Sequence, residues 1–569
     1  MKIVRIILCV GAIMGIGVNA DAASPSAAPD HIHLSWQQSP ATTMTVMWRT
    51  SNAVTASQVQ YGPTASYGNN VNGTYEALPE GRGNAHIVEI TGLDPNSTYH
   101  YRVGDGGSNW SADYLFSTVS ESTDMCTPVK FVAMGDSRSS TGDGASIYWS
   151  TVMDAATDEE PQFVLFNGDA IAEGDQQESG WEDWFEKAAS DLRTQPMMMA
   201  WGNHEDRGDD TFLRNFALPV NDDSGTEDFY DFRVGPIHFF AMDTERVDNR
   251  WARQATWLDG KLSATDAIWT VAYHHQPTYS SGTTHGSTDE CIDYWAPVFD
   301  DHHLDIDIGS HDHIYERTKP MFDESPIPNQ DYSQGTMYLV TGGAGAFTNP
   351  ILNIFNNFYL KGIGATHYIL FEVEFNKLRL RAFSELGVAY DDYTLEKPEL
   401  AYPTAAFEAD RAEIYQYEAV TFNGTDSVDP CGEIIQWTWD FGDGGVGNGE
   451  TVQHTYSEDG TFDVTLTVMD LDANTDSVTL TFDVLPGTPP DDDADDDADD
   501  DLDDDIDDDA DDDLDDDADD DAVDDDDDFN PPDGDDDSAG DDDAGVGGDD
   551  DDETRATGDD DDSDGGCGC

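Results

Sequence analysis

The chain has little positive charge and, beyond its first residues, no long apolar run. Its 569 residues include 25 Lys and Arg against 120 Asp and Glu, which gives a formal net charge of -95. A chain this acidic is not expected to bind nucleic acid or an anionic membrane surface through its overall charge. No stretch after Val18 approaches the roughly 18 consecutive apolar residues of a membrane-spanning helix, so we expect no transmembrane segment.

Cysteine is also scarce, with six residues in the whole chain. Cys9 lies in an apolar run, Ile6 to Val18, that follows a basic start and precedes small residues, which is the pattern of a secretory signal peptide. We therefore expect residues 1–22 to be removed and the protein to be exported, to the extracellular space, the periplasm or the cell surface. An odd number of cysteines then remains. Cys126 and Cys291 could form a disulfide, although the sequence does not determine the pairing.

The negative charge is concentrated at the C-terminal end. Residues 491–569 hold 45 Asp, one Glu and one Arg, a net -45 that leaves -50 on the preceding 490 residues. Residues 488–569 are too poor in apolar side chains to form a core, so we predict a disordered tail. Its Asp-Asp-Asp-X repeats favour an extended chain with weak, multivalent Ca²⁺ binding. The tail ends in Cys567 and Cys569, through which it could attach to the cell surface, and simple secretion is the alternative.

The N-terminal segment, residues 27–120, has the pattern of a β-sandwich. Short runs with period-two alternation, such as Thr43 to Trp48, are separated by Gly, Pro and Asn. The segment from Gly92 to Tyr99, followed by Tyr101-Arg102-Val103, resembles sequences of the fibronectin type III fold. We expect this segment to be a scaffold rather than a catalytic domain.

The central segment, residues 126–395, predicts an α/β domain. The apolar runs Val129 to Met134 and Phe163 to Phe166 each lead into a Gly-Asp pair, and stretches of helical composition lie between such runs. In folds of this class the functional groups lie where strands end and loops begin. The chemistry is therefore expected at these Gly-Asp turns.

Residues 400–487 return to a β-sandwich composition. Trp437 to Gly444, His454-Thr455-Tyr456 and Thr461 to Val468 follow one another in the order and spacing of the PKD domain, which they closely resemble. That resemblance implies an extracellular spacer or binding module that contacts a polysaccharide or a protein.

Clusters of polar residues recur along the central segment. They are Gly135-Asp136-Ser137-Arg138, Gly168-Asp169, Gly202-Asn203-His204-Glu205, His274-His275-Gln276-Pro277 and Ser310-His311-Asp312-His313. Each cluster alone has an ordinary explanation as a turn, a helix cap or a surface histidine. Together they supply the carboxylate, amide and imidazole donors that a dinuclear site for borderline divalent metals requires.

With these clusters in order, residues 30 to 390 resemble the metallophosphoesterases, specifically the purple acid phosphatase branch. Tyr315-Glu316-Arg317 and Tyr338 to Gly345 match that branch as well. The expected fold is therefore multidomain: a fibronectin III-like β-sandwich, an α/β metallophosphoesterase β-sandwich flanked by helices, a PKD β-sandwich and the disordered tail.

The resemblance also implies a set of ligands and catalytic groups. Asp136 and His313 would bind the first metal, Asp169 would bridge both metals, and Asn203 and His311 would bind the second. The remaining ligand of the second metal is ambiguous between His274, which fits V-x-x-H, and His275, which fits H-x-P-x-Y and is preferred. His204 would contact the phosphate, and His285 would lie near the leaving group, although an ordinary exposed loop histidine is about equally expected there.

Two positions depart from the purple acid phosphatase pattern. Ala172 stands where the family has a tyrosinate ligand, and Arg138 stands where the wider group has a histidine. Ferric iron would lose its main anchor, so the resemblance implies two divalent or trivalent ions, Zn, Mn or Fe, with uncertain affinity at the first position. Arg138 could instead bind a substrate phosphate, because its guanidinium suits phosphate geometry.

The expected activity is hydrolysis of a phosphate ester by in-line attack of a hydroxide activated by the two metals. His204 or His285 would supply the proton for the leaving group, and an acid phosphatase-type monoesterase is preferred. A phosphodiesterase or nucleotidase of the same fold is one alternative. A non-catalytic adhesion or matrix protein is another, and retention of the ligand set opposes it.

Overall fold

The computed structural model describes residues 26–140, 144–172, 178–205, 211–221, 224–245, 250–351, 353–400, 402–429, 431–471 and 473–487. The predicted signal peptide and the predicted acidic tail, with Cys567 and Cys569, lie outside these residues. None of the helices within the described ranges is long and apolar enough to cross a membrane.

Two four-stranded antiparallel sheets form the N-terminal part. Their strands are Asp30–Ser35 (β1), Thr43–Thr50 (β2), Gln58–Gly62 (β3), Asn69–Asn72 (β4), Thr74–Ala77 (β5), Asn84–Thr91 (β6), Thr98–Gly104 (β7) and Tyr114–Ser117 (β8). The strand orders are β1-β2-β6-β5 and β4-β3-β7-β8, and Pro79–Gly81 forms a short 3₁₀ turn before β6.

The sheet that contains β1 and β2 packs against the central part of the chain. All eight residues of β2 are buried, although the alternating sequence predicts one solvent-facing side. The Arg49 guanidinium donates to Asn215 Oδ1 at 2.5 Å, and Ser35 Oγ donates to the carbonyl of Ala217 at 2.6 Å. Trp36 lies 5.4 Å from Phe163, ring centre to ring centre. The first and second parts therefore share one continuous core.

Two larger sheets form the central part. Their strands are Val129–Met134 (β9), Phe163–Phe166 (β10), Met197–Met199 (β11), Tyr230–Val234 (β12), Ile237–Ala241 (β13), Trp269–Tyr273 (β14), Ile306–Gly309 (β15), Tyr315–Thr318 (β16), Met337–Thr341 (β19), Tyr359–Ile363 (β20), Tyr368–Glu374 (β21), Lys377–Phe383 (β22) and Ala389–Glu396 (β23), with a separate two-stranded ribbon of Met321–Phe322 (β17) and Ser325–Pro326 (β18). The six-stranded sheet has the order β11-β10-β9-β21-β22-β23, and the seven-stranded sheet has the order β12-β13-β14-β15-β19-β16-β20.

Aromatic side chains fill the space between these two sheets, and helices flank them. Phe131 on β9 stacks on Phe163 of β10, and its ring meets the edge of Phe239 on β13, 5.1 Å away. The helices are Trp149–Thr157 (α1), Glu178–Lys187 (α2), Ala189–Leu192 (α3), Thr211–Asn215 (α4), Arg250–Ala264 (α5) and Ala296–His302 (α6). Helix α1 buries Trp149, Val152, Met153 and Ala156, which is the spacing of one helical face.

The C-terminal part of the described chain is a second β-sandwich with its own core around Trp439 and Phe422. Its strands are Glu408–Ala409 (β24), Glu413–Tyr415 (β25), Ala419–Asn423 (β26), Ile434–Asp440 (β27), Val446–Asn448 (β28), Thr451–Thr455 (β29), Gly460–Asp470 (β30) and Thr475–Leu485 (β31). They form sheets of order β24-β26-β29 and β25-β31-β30-β27-β28. The predicted multidomain fold class is confirmed for the described residues.

The disulfide of this structure joins Cys126 to Cys431. The bridge between Cys126 and Cys291 that the sequence left open is therefore not formed, and Cys291 is a buried free thiol. The pairing of Cys126 with Cys431 could not be predicted from the sequence because Cys431 belongs to a different domain, 305 residues further along the chain.

Candidate metal centre

Five strand ends meet at one edge of the central part. Strands β9, β10 and β11 run parallel to one another in the first sheet, and β14 and β15 run parallel in the second. Because carboxyl ends of parallel strands share an edge, the polar clusters that follow these strands come together there. All five clusters singled out from the sequence lie at these ends.

Three of the predicted ligands have left-handed backbones. The φ angles are 61° at Asp136, 56° at Asp169 and 64° at His311. Non-glycine residues adopt this conformation rarely, and such residues concentrate at functional sites where the surrounding structure holds them. Here the turn after β9 and the turn after β10 stabilise each other, since the Asp136 N–H donates to the Gly168 carbonyl at 3.0 Å.

Four candidate ligand atoms converge at the position that the sequence predicts for the second metal. His275 Nε2 lies 3.2 Å from Asp169 Oδ1, 3.0 Å from Asn203 Oδ1 and 3.0 Å from His311 Nδ1. His275 Nδ1 lies 2.8 Å from the Asn167 carbonyl, which can only accept, so Nδ1 carries a proton and Nε2 is the ring nitrogen that a metal ion could use.

Carboxylate, amide and imidazole atoms at this spacing fit a divalent metal ion, which would take the place of the proton between them. Ligand atoms of Asp169, His275 and His311 all lie within 4.8 Å of one another. This is the one such group of three His, Cys, Asp or Glu residues among those that the structure describes.

The electrostatics of the cluster also favour positive charge. Burial by itself lowers the pKa of His275, but the hydrogen bond to Asp169 and the attraction of Asp169, Asp136 and Glu245 together raise the pKa to about 10. Burial raises the pKa of Asp169, yet His275 lowers it below its ordinary value. A metal ion at this position would therefore displace a proton from His275 Nε2.

The position predicted for the first metal has a different environment. His313 Nε2 lies 3.3 Å from Asp136 Oδ1, while Ser310 Oγ and the His311 N–H, at 2.9 Å, donate to Asp136 Oδ2. The Arg138 side chain also lies here: its Nε donates to Asp169 Oδ2 at 3.2 Å, and its Nη2 is 3.5 Å from His313 Nε2.

The two neighbouring histidines of the ambiguous pair point in different directions. His275 reaches the converging candidate ligand atoms, whereas His274 is buried behind them. His274 Nε2 pairs with Asp307 Oδ1 at 2.7 Å, and its Nδ1 is 2.9 Å from the Gln276 carbonyl. Since both ring nitrogens of His274 are occupied within the core, the structure does not bring it to the site.

His204 and His285 both lie beside the cluster. The His204 N–H donates to Asp169 Oδ1 at 3.0 Å, its Nδ1 bonds the Ala172 carbonyl, and its Nε2 is 3.8 Å from Asp169 Oδ2. The ring of the exposed His285 is 3.6 Å from that of His311, centre to centre. Ala172, which stands where the family has tyrosine, thus contributes its backbone carbonyl.

Two buried carboxylates support the site without having been assigned a role from the sequence. Glu205 accepts N–H bonds from Asp169 at 2.9 Å, Ala170 at 2.7 Å and Gly202 at 2.7 Å, which ties two ligand turns together. The only sequence signal for this supporting role of Glu205 was its position directly after Asn203-His204.

The second is Asp312, between the two histidines of the last cluster. Its carboxylate accepts from Ser280 Oγ at 2.6 Å, from the Gly286 N–H at 2.9 Å and from the His285 N–H at 3.2 Å. Asp312 therefore anchors the loop that carries His285 to the strand end that carries His311.

Family models match three stretches of the chain. Residues 29–118 match the purple acid phosphatase N-terminal domain, residues 129–315 match the calcineurin-like phosphoesterase family, and residues 400–484 match the PKD domain.

Individual relatives are distant but extend over much of the chain. Acid phosphatase type 7 of Homo sapiens is 25% identical over 382 residues, which cover 59% of this chain and 82% of the relative. Purple acid phosphatase 15 of Arabidopsis thaliana is 25% identical and aligns with 46% of this chain and 54% of its own length. The structure of purple acid phosphatase PPD1 from yellow lupin (Lupinus luteus) seeds has a TM-score of 0.56 at 18% identity and covers 65% of this chain and 74% of its own, which is a likeness of fold.

Proposed function

The chain is a purple acid phosphatase-like metallophosphoesterase with a C-terminal PKD domain, and we propose that it is an exported hydrolase of phosphate monoesters. The observation that carries this proposal is the convergence of candidate ligand atoms from Asp169, Asn203, His275 and His311 at the strand ends. A scaffold would have no physical need to bring these four ligand atoms together.

The metallophosphoesterase fold implies divalent metal ions, and Asp169, Asn203, His275 and His311 would hold one of them. An ion bound there would lower the pKa of water and offset the charge of the phosphate. The dinuclear centre expected from the sequence would need a second ion among Asp136, Asp169 and His313, and Arg138 contacts two of these three residues.

Three side chains of the site would act on the substrate directly. Arg138 is 21% exposed and His204 is 28% exposed, so both reach solvent beside the cluster and can donate to phosphate oxygens. His204 Nδ1 is committed to the Ala172 carbonyl, so Nε2 is the nitrogen that would give a proton to the leaving oxygen from the doubly protonated ring. His285, on the other side of His311, is the second candidate acid.

A monoester fits these groups better than a diester. A phosphate monoester carries up to two negative charges, and Arg138 and His204 add cationic donors to the charge of a bound metal ion. The similarity to a relative named acid phosphatase type 7 supports a phosphatase activity. Diesters and nucleotides remain the alternatives of the same fold that the assay below distinguishes.

Export is supported by the disulfide. Disulfides persist in oxidising compartments and are rare in reducing ones, and the structure joins Cys126 to Cys431. In an exported enzyme the PKD domain would contact a polysaccharide or another protein, and Cys567 or Cys569 would attach the chain to the cell surface.

Hydrolysis of p-nitrophenyl phosphate tests the proposal. We expect turnover that chelation removes and that added Zn²⁺, Mn²⁺ or Fe²⁺ restores, and we expect Asp169→Asn to lose at least about 100-fold in kcat/KM. The same assay with bis(p-nitrophenyl) phosphate ranks monoesterase against diesterase. A folded wild-type protein without metal-dependent turnover of either ester would overturn the proposed function.

A further inference from the structure

Arg138 is held rigidly at the first metal position. Its N–H donates to the Asp169 carbonyl at 3.1 Å. The preceding residue, Ser137, donates through Oγ to the Ala170 carbonyl at 2.9 Å and accepts from Trp184 Nε1 at 2.9 Å. These bonds fix the backbone from which the guanidinium reaches Asp169 Oδ2 and His313 Nε2.

The guanidinium contacts two of the three protein atoms that a first metal would use. His313 Nδ1 lies 2.7 Å from the Phe347 carbonyl, so the Nε2 of the neutral ring is an acceptor, which Arg138 Nη2 faces. Asp169 Oδ2 already accepts from Arg138 Nε at 3.2 Å. The third atom, Asp136 Oδ1, faces His313 Nε2 at 3.3 Å and is not contacted by the guanidinium. Only one protein ligand is therefore free of the guanidinium, whereas metal sites in proteins have three or four protein ligands.

The charge of Arg138 is permanent. Arginine does not lose its proton in proteins and has no lone pair to offer a metal. Unlike a histidine, it cannot become a ligand when an ion arrives, and its charge repels a divalent cation across the shared ligands. At the second position, by contrast, the converging groups are Asp169, Asn203, His275 and His311, with no arginine or lysine among them.

We propose that the Arg138 guanidinium takes the place of the first metal ion, so that the loaded enzyme holds one metal ion per chain instead of two. This inference rests on the proposed function only in assigning the second position as the metal site. It replaces one cation of the expected pair with a side chain that can still donate to a phosphate oxygen.

The number of bound ions tests the inference. The full chain is loaded with Mn²⁺, passed through a desalting column and analysed for manganese by plasma mass spectrometry. Ions retained by Asp169→Ala, which lacks the ligand shared by both positions, measure the background from the Asp-rich segment, so each stoichiometry is the excess over that variant. We expect one ion for wild type, two for Arg138→His, more than one for Arg138→Gln, and one for the control Arg379→Gln, whose exposed side chain pairs with Asp392.

Electron paramagnetic resonance supplies a second readout that does not depend on counting. Wild type should give the six-line spectrum of isolated Mn²⁺, and Arg138→His should give the spectrum of a spin-coupled pair. Two ions in wild type, or one ion in both Arg138→His and Arg138→Gln, would overturn the inference.

The same samples separate this inference from the proposed function. One ion per chain without ester hydrolysis would overturn the proposed function and leave the inference standing. Two ions with full activity would do the reverse, and a folded wild-type chain that binds no ion would overturn both.

Discussion

At the scale of single residues, two adjacent histidines of the site have different environments. His274 and His275 are adjacent and both buried, yet one pairs with Asp307 in the core and the other faces Asp169 and Asn203. We expect His275→Gln to lower kcat/KM at least about 100-fold and to remove the bound metal. His274→Gln should instead lower the free energy of unfolding by about 1–3 kcal/mol and keep the metal.

Steady-state kinetics, metal analysis and thermal unfolding of these two matched variants provide the measurement. If His274→Gln loses the metal while His275→Gln keeps it, the assignment of the two rings is reversed.

Glu316 gives a residue-scale prediction that concerns pH. Its side chain is buried on β16 and accepts the Ser281 N–H at 2.7 Å, and burial raises its pKa to about 7. The folded state then binds the proton more tightly than the unfolded state, whose ordinary pKa is 4.5. The stabilisation is complete below that value and is lost as pH rises to about 7.

We therefore expect Glu316→Gln to gain stability relative to wild type between pH 5 and 8, by up to about 3 kcal/mol. Chemical unfolding of both proteins across this range measures the difference. A difference that does not change with pH would contradict the raised pKa.

The candidate ligands stand out in the sequence because each follows a recognisable strand and turn. The preference for His275 over His274 came from the neighbouring Pro277 and Tyr279, and whether His275 binds metal stays a prediction. The supporting roles of Glu205 and Asp312 were not readable, because they consist of hydrogen bonds to turns and loops distant in the sequence or in the fold. The position of the Arg138 guanidinium likewise depends on side-chain geometry that spacing does not reveal.

At the scale of elements, the turn after β10 depends on Gly168. Its φ is +83°, and a Cβ there would lie 2.7 Å from the Gly202 backbone, which belongs to the turn after β11. Gly387, in the turn between β22 and β23, has a φ of +76° but would place a Cβ in open space.

We expect Gly387→Ala to cost about 1–2 kcal/mol from backbone conformation alone. Gly168→Ala should cost more, because it also forces the two ligand turns apart, and its kcat/KM should fall while that of Gly387→Ala does not. Chemical unfolding and kinetics of the two variants provide the test. Equal losses of stability with unchanged activity would show that the two turns are not in close contact.

Strand positions were well predicted from apolar runs, and the exception has a physical reason. The alternation in β2 predicts one exposed face, yet both faces are buried because the second packs against the central part of the chain. Alternation reports the chemical character of a face and not what covers it. Thr43, Thr45 and Arg49 are buried although they are polar, and Arg49 there bonds Asn215.

At the scale of the whole molecule, sequence motifs predicted the fold class and the order of the domains. They did not predict the disulfide that links two of these domains. Cys126 and Cys431 covalently join the start of the central part to the C-terminal sandwich. We expect Cys431→Ser to lower the stability of the protein by about 2–5 kcal/mol, since a long loop in the unfolded chain is no longer closed.

Thermal unfolding with and without a reductant measures this effect. Wild type should lose stability on reduction, Cys431→Ser should not respond, and the control Cys291→Ser should respond as wild type does, because Cys291 is a free thiol. A Cys431→Ser variant that still responds to the reductant would contradict the pairing.

The same disulfide gives the chain an unusual topology. With a separation of 305 residues, the backbone from Cys126 to Cys431 and the sulfur bridge together form a closed covalent ring, and every candidate metal ligand from Asp136 to His313 lies on it. A single cut by a protease anywhere on this ring leaves one molecule and not two. A catalytic domain nicked by a protease would therefore keep its fragments joined until a reductant opens the ring.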